Sequence, residues 1–216
     1  MQFLHVWLLP IVDGFSAHLL DYITDEEKKH ADTMQSARRK KEWLATRALL
    51  RACLAHYTEH EPLALLFDKT VEGKPMLVYP VAQLAFNLSH GPRWIACAVS
   101  RADAVGVDVD CEMRRNRIDD IAEHYFHSHE QAALRAIADS RLRSREFFRC
   151  WTMKEAFIKA QGKTITGARL REIAFAPMPT GEQKALFVLP EGSWHFVHKK
   201  FDDDHHLADF GFAPGE

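Results

Sequence analysis

Residues 105–110 read Val-Gly-Val-Asp-Val-Asp, and this strict alternation leaves the segment little choice of conformation. Side chains alternate across a strand, so Val107 and Val109 share one face while Asp108 and Asp110 share the other. An apolar face that regular asks for a core beneath it. Two carboxylates held side by side repel unless a cation or protons join them. Oxygen-only ligands suit magnesium, which keeps several waters and completes its shell on substrate phosphates. An exposed strand with two solvated acids is the other reading, and the segment alone does not choose between them.

A second constraint lies downstream, from Phe147 to Lys159. At helical spacing Cys150, Met153, Phe157 and Ala160 form one apolar stripe. Glu155 falls about 200° from both Met153 and Phe157, and Lys159 follows it by one turn on the same face. Such a pair is either a surface ion pair worth a few tenths of a kcal/mol or a third carboxylate with a phosphate-binding lysine. The polar strand end Phe86-Asn87-Leu88-Ser89-His90-Gly91 is the third feature. Asn87, Ser89 and His90 offer donors there, although turn chemistry alone accounts for those letters.

The rest of the chain supplies the frame. The apolar start, broken by Pro10, reads as a first strand, being too short to span a bilayer and lacking signal-peptide flanks. Residues from Asp25 to about Tyr57 read as one helix, apolar at Trp43, Leu44, Ala48, Leu49, Ala52 and Cys53, and basic at Arg38 to Lys41 and Arg47. Lys74 sits in a turn ending at Pro75, and Leu84–Ser89 and Trp94–Val99 are strands joined across His90–Arg93. Ser128 to Gln131 fits a capping box opening a helix to about Ala138, and another helix runs from about Ser144 to Gln161, stopping at Gly162. Strand-like runs follow at Ile173–Ala176, Ala185–Leu189, Trp194–Phe201 and Leu207–Phe212. The fold class expected is α+β, in two halves meeting near residues 100–104, taken here as 1–102 and 103–216.

Charge narrows the partners. Lysine plus arginine number 28 against 30 acids, so the chain is no general binder of nucleic acid or membrane surface. The four cysteines make no CxxC pair, and Cys53, Cys97 and Cys150, within apolar periodic segments, read as reduced core residues of a cytoplasmic protein.

In combination these features form a specific order. Gly73-Lys74-Pro75, Phe86-Asn87-Leu88-Ser89-His90, Gly106-Val107-Asp108-Val109-Asp110 and the Trp151–Lys159 helix resemble the Sfp-type phosphopantetheinyl transferases. The chain also looks close to their enterobactin-synthase branch, and Arg38–Arg47 is similar to the family's basic helix. The resemblance spans about residues 35 to 165.

It implies two similar α+β halves with coenzyme A in the cleft between them, and transfer of its phosphopantetheine arm to a serine of an acyl or peptidyl carrier protein, releasing 3′,5′-ADP. By the same resemblance Asp108, Asp110 and Glu155 match magnesium ligands, with Glu155 the candidate for taking the serine proton. Arg47 and Lys74 match contacts at the 3′-phosphoadenosine end, Ser89 and His90 match phosphate contacts, and Lys159 matches a pyrophosphate lysine. A monomer could supply the whole cleft, and an acidic carrier would meet arginines such as Arg114, Arg115 and Arg117.

Three letters depart from the family pattern: Asp110 for Glu, Gly91 for Ser or Thr, and Thr46 for Gly. The shorter Asp110 side chain could bind the metal through water. Competing readings are another magnesium-dependent phosphoryl-transfer enzyme, or a non-catalytic module holding coenzyme A or a carrier protein. The clusters at His127–Glu130 and Asp202–His206 read as a helix cap and a polar hairpin turn.

Overall fold

The computed structural model describes residues 3–11, 17–71, 73–101, 104–112, 117–162, 170–175, 183–189, 192–202 and 204–214. Arg114 and Arg115 lie outside these, as do Glu72 and Ala176.

The first half is built on a three-stranded antiparallel sheet. Its centre is β5 (Trp94–Ser100), flanked by β1 (Leu4–Pro10) and β4 (Ala85–His90). A hairpin of β2 (Leu66–Lys69) and β3 (Pro75–Tyr79) stands apart from it. In place of one long helix there are two. Thr24 and Glu27 form the capping box that opens α1 (Asp25–Asp32), and Ser36, in extended backbone, accepts from the Arg39 N–H to open α2 (Ala37–Thr58). The expected helix therefore breaks where a serine can start a new one. Leu49, Leu50, Cys53 and Leu54 of α2 bury against Phe86, Ile95, Cys97 and Val99 of the sheet.

The second half repeats this plan. Strands β6 (Ala104–Cys111), β9 (His205–Pro214), β8 (Gly192–Phe201) and β7 (Gln183–Leu189) make an antiparallel sheet in that order. Helix α5 (Ser140–Ala160) covers it, packing Met153, Ala156, Phe157 and Ala160 onto Trp194, Phe196, Ala208 and Phe210. Asp139 caps α5, one turn earlier than the sequence suggests. The short helices α3 (Ile118–Tyr125) and α4 (Ser128–Ala136) close over its first turns through Phe126, Leu134 and Phe147. The capping box of α4 is shifted by one residue: His127 is the cap and Glu130 its reciprocal partner. No strand forms over 173–175, where Ile173 and Phe175 serve the core instead.

The remaining faces of the two sheets meet through Ala96 and Ala98 of β5 and Val105, Val107 and Val109 of β6. The order is thus helix, sheet, sheet, helix: two similar α+β halves sharing an apolar middle. Along one seam β4 lies beside β6. The outer edge of β6 would waste its backbone donors there, since buried N–H groups need partners. Side chains of β4 take them: Val107 N–H donates to Asn87 Oδ1 at 3.0 Å and Val109 N–H to Ser89 Oγ at 3.3 Å. Among the described residues, no helix is long and apolar enough to cross a membrane.

Candidate active site

Position along β6 is set by contact with α5. Phe148 stacks with His206, the partner of Asp110, while Phe157 meets Phe210, the partner of Gly106. The helix therefore runs antiparallel to the strand. At Gly106 a Cβ would lie 2.0 Å from Ala156 O and 2.4 Å from Ala160 N, so only glycine lets helix and strand backbones approach this closely.

From Phe147 to Ala160 every side chain of α5 is buried except Glu155 and Lys159. These two mark the wet edge of that stretch. Helical side chains lean towards the N-terminus, so both reach along β6 in the direction of Asp108 and Asp110. Lys159 Nζ lies 2.7 Å from Asp108 Oδ1 and 3.0 Å from Ser89 Oγ. The Ser89 hydroxyl donates to the same Asp108 oxygen at 2.8 Å. Asp108 and Asp110 are buried, and Asp110 Oδ1 accepts the Cys111 N–H. Strand β4, strand β6 and helix α5 thus converge on one carboxylate, drawing in a hydroxyl and an ammonium.

Beyond the seam His90 is exposed at the end of β4. It lines a cleft of about 750 Å³ whose opposite wall is the start of α2, with Ser36, Arg39, Glu42, Trp43 and Thr46. Those α2 residues recur at three and four, which is the signal by which the sequence could have shown the wall.

Arg47 and Lys74 are placed elsewhere. Arg47 Nε donates to Glu27 Oε1 at 2.5 Å, and its guanidinium lies 4.7 Å from the centre of the Phe67 ring. Arg51 clamps the other oxygen of Glu27 at 2.8 Å and donates to the carbonyls of Pro62 and Leu65. Burial would raise the Glu27 pKa, but these arginines and the Thr24 N–H outweigh it and hold the carboxyl below its ordinary range. Lys74 follows Gly73, whose φ of 82° makes the turn, and burial lowers its ammonium pKa.

One residue inside the Trp151–Lys159 motif was given no role by the sequence. Lys154 is fully buried, with Nζ 2.8 Å from Glu130 Oε2 and 2.9 Å from Leu170 O, and bonded also to Ile173 O. Its role depends on a carboxylate from another helix, and nothing local in the letters points there.

Asp108, Asp110 and Glu155 carry oxygen donors only, the ligand chemistry a hard divalent cation takes, and the two aspartates are shielded from bulk water. The Lys159 ammonium already rests against Asp108, so the position attracts positive charge.

Comparison with known proteins gives matches over nearly the whole chain. The sequence profile described as 4'-phosphopantetheinyl transferase superfamily matches residues 104–209, and that described as 4'-phosphopantetheinyl transferase, N-terminal, matches residues 9–102. The 4'-phosphopantetheinyl transferase HetI of Nostoc sp. is 32% identical over 219 residues, covering 97% of this chain and 90% of the relative. A 4'-phosphopantetheinyl transferase of Bacillus subtilis is 30% identical over 156 residues, covering 72% of this chain and 66% of the relative. The transferase gsp of Aneurinibacillus migulanus is 40% identical over 100 residues, covering 46% and 39%.

Proposed function

Because the chain belongs to the 4'-phosphopantetheinyl transferase superfamily, we propose that it moves the phosphopantetheine arm of coenzyme A onto a serine of an apo carrier protein, with 3′,5′-ADP leaving. It is a transferase, with coenzyme A and a carrier protein as partners. The relatives support the Sfp-type family as a whole, and closeness to its enterobactin branch stays part of the proposal. The observation that carries the site reading is the convergence of Ser89, Asp108 and Lys159 where α5 leaves its buried second half partly open to water.

In this reading Asp108, Asp110 and Glu155 hold magnesium, which when bound offsets charge on the pyrophosphate. Coenzyme A binds in the cleft between the two halves, where His90 and the start of α2 line the first half's side. Lys159 and His90 donate to phosphate oxygens, and positioning with fixed charge does most of the work, as phosphoryl transfer requires. Glu155, less enclosed than the two aspartates, takes the proton of the attacking serine. Ser89 orients Asp108 by hydrogen bond and reaches phosphate only by giving up that bond. Arg47 and Lys74 remain candidates for the 3′-phosphoadenosine end, Arg47 sharing its guanidinium with Glu27. The two halves divide near residues 102 and 103. An acidic carrier, a monomeric state and a cytoplasmic location complete the proposal.

The test is intact mass of a panel of apo carriers after incubation with coenzyme A, with and without magnesium. The expected result is a gain of one phosphopantetheine mass only with magnesium, lost in Asp108→Ala while the melting curve is unchanged. Tight coenzyme A binding with no mass gain on any carrier would turn the reading towards a binding module.

A further inference from the structure

The strand that carries Asp108 and Asp110 ends in Cys111, whose side chain alternates to the opposite face. There β9 pairs Cys111 with His205, and the turn before β9 brings Asp204 alongside. The Cys111 sulfur, an Asp204 oxygen and a His205 ring nitrogen all lie within 4.8 Å of one another. Cys111 Sγ is 3.2 Å from Asp204 Oδ2, and His205 Nδ1 is 2.9 Å from Asp204 Oδ1. Asp202 Oδ2 stands 3.7 Å from the same nitrogen. Cys111 and His205 are buried, so these groups are held in place by packing.

One cation already sits among them. Arg93, from the β4–β5 turn, places one guanidinium nitrogen 2.5 Å from Asp204 Oδ1, 3.2 Å from His205 Nδ1 and 3.6 Å from Asp202 Oδ2. His205 Nδ1 donates to Asp204 Oδ1 in one tautomer and accepts from Arg93 in the other, and the second is the one that offers its lone pair to the cluster. The Arg93 side chain is 54% exposed and has room to withdraw into solvent. Beside it a cleft of about 530 Å³, lined by Arg93, Glu112, Arg141, Asp202 and Asp204, gives an entry path.

Sulfur, imidazole nitrogen and carboxylate together are not a magnesium set; they suit zinc and its neighbours. We propose that Cys111, Asp204 and His205 form a second metal site, for zinc or a zinc-like divalent ion, with Arg93 as the occupant when no metal is bound. Three protein ligands leave a fourth position for Asp202 or water. As the metal–sulfur bond forms, the thiol proton passes to solvent and Arg93 swings out. The ion then staples the end of β6 to the β8–β9 turn, independently of the oxygen site on the other face of the strand.

Cobalt(II) tests this directly, because a cobalt–thiolate bond absorbs in the near ultraviolet and an oxygen site does not. Chelator-treated protein is first saturated with magnesium, so that the oxygen site is filled, and then titrated with cobalt chloride and back-titrated with zinc chloride. The expected result is a one-equivalent sulfur band that zinc removes, lost in Cys111→Ser with at least a tenfold weaker zinc affinity by calorimetry. Arg93→Ala should bind zinc several-fold more tightly. If Cys111→Ser fails to fold, Asp204→Asn at the turn carries the test, with the same tenfold loss expected. Cobalt binding without a sulfur band, or zinc affinity unchanged in these ligand variants, overturns the site. Unchanged affinity in Arg93→Ala overturns the exchange with arginine.

Discussion

Lys154 and Lys159 stand on one helix, each against a carboxylate, yet their surroundings are opposite. Lys154 is wholly enclosed, its ammonium shared among Glu130, Leu170 O and Ile173 O. Lys159 keeps 26% of its side chain exposed while it meets Asp108 and Ser89. A sealed pair has satisfied its charges and can only hold structure. A pair open on one side can exchange a partner, which is what binding an anion or a metal requires. The type of interaction is therefore less informative than whether water reaches it.

The largest effect tests the sealed lysine. Lys154→Met leaves the Glu130 carboxylate buried without its cation, and removing one partner of such a pair costs about 3–5 kcal/mol. Urea unfolding should show that loss. Adding Glu130→Gln should restore part of it by removing the stranded charge, although the amide oxygen can accept only one of the N–H groups of His127 and Phe175, which Glu130 takes on separate oxygens. A single variant as stable as the parent would mean Lys154 is not the support described.

Lys159→Met should do the reverse. Transfer should fall by about 10²–10³-fold, the scale of losing one preorganised donor to developing charge. Stability should change by less than about 1 kcal/mol, since the pair is partly solvated and Asp108 keeps the Ser89 hydroxyl. A stability loss as large as that of Lys154→Met would make Lys159 a second structural lysine and break the comparison.

The letters disclosed one of these lysines and not the other, for a physical reason. The strand alternation at Val107 and Val109 and the i,i+4 spacing of Glu155 and Lys159 are local patterns, and both survive into the fold. The partners of Lys154 come from another helix and from a loop, so its burial depends on tertiary packing. The Asn87 carbonyl behaves likewise: it reads as a possible ligand donor and serves as a backbone acceptor for β6. At His127 the local rule itself misled, because histidine is an unusual cap and Ser128 beside it is a common one. The break at Ser36 was visible in principle, but helix-forming residues on both sides, Ala31 before it and Ala37 to Lys41 after it, hid it in a continuous helical pattern.

Gly106→Ala would act on both lysines at once. The added methyl meets backbone atoms of α5, which cannot turn aside as a side chain can. Overpacking of this kind costs about 1–3 kcal/mol. The helix must shift to relieve it, carrying Glu155 and Lys159 with it, so stability and transfer should fall together. The two lysine variants separate these losses. A drop in one without the other would show that α5 does not move as a rigid body.

The smallest effect concerns the sealed end of the same helix, where a neutral group must stay neutral. His198 of β8 is buried, with its Nε2 3.1 Å from His206 Nδ1. Burial first, then the charges of His206, Arg149 and Arg145, push its pKa down to about 3 from 6.5. The unfolded chain therefore binds a proton between those values that the folded chain refuses. Stability is full above pH 6.5 and declines as pH falls towards 3, by up to about 1.4 kcal/mol per pH unit. Urea unfolding between pH 6.5 and 5 should show His198→Gln losing stability less steeply than the parent, by roughly that slope. Parallel curves would mean that His198 can take its proton in place. Burial beneath α5 would then not by itself exclude charge, and enclosure would be the weaker half of the contrast between the two lysines.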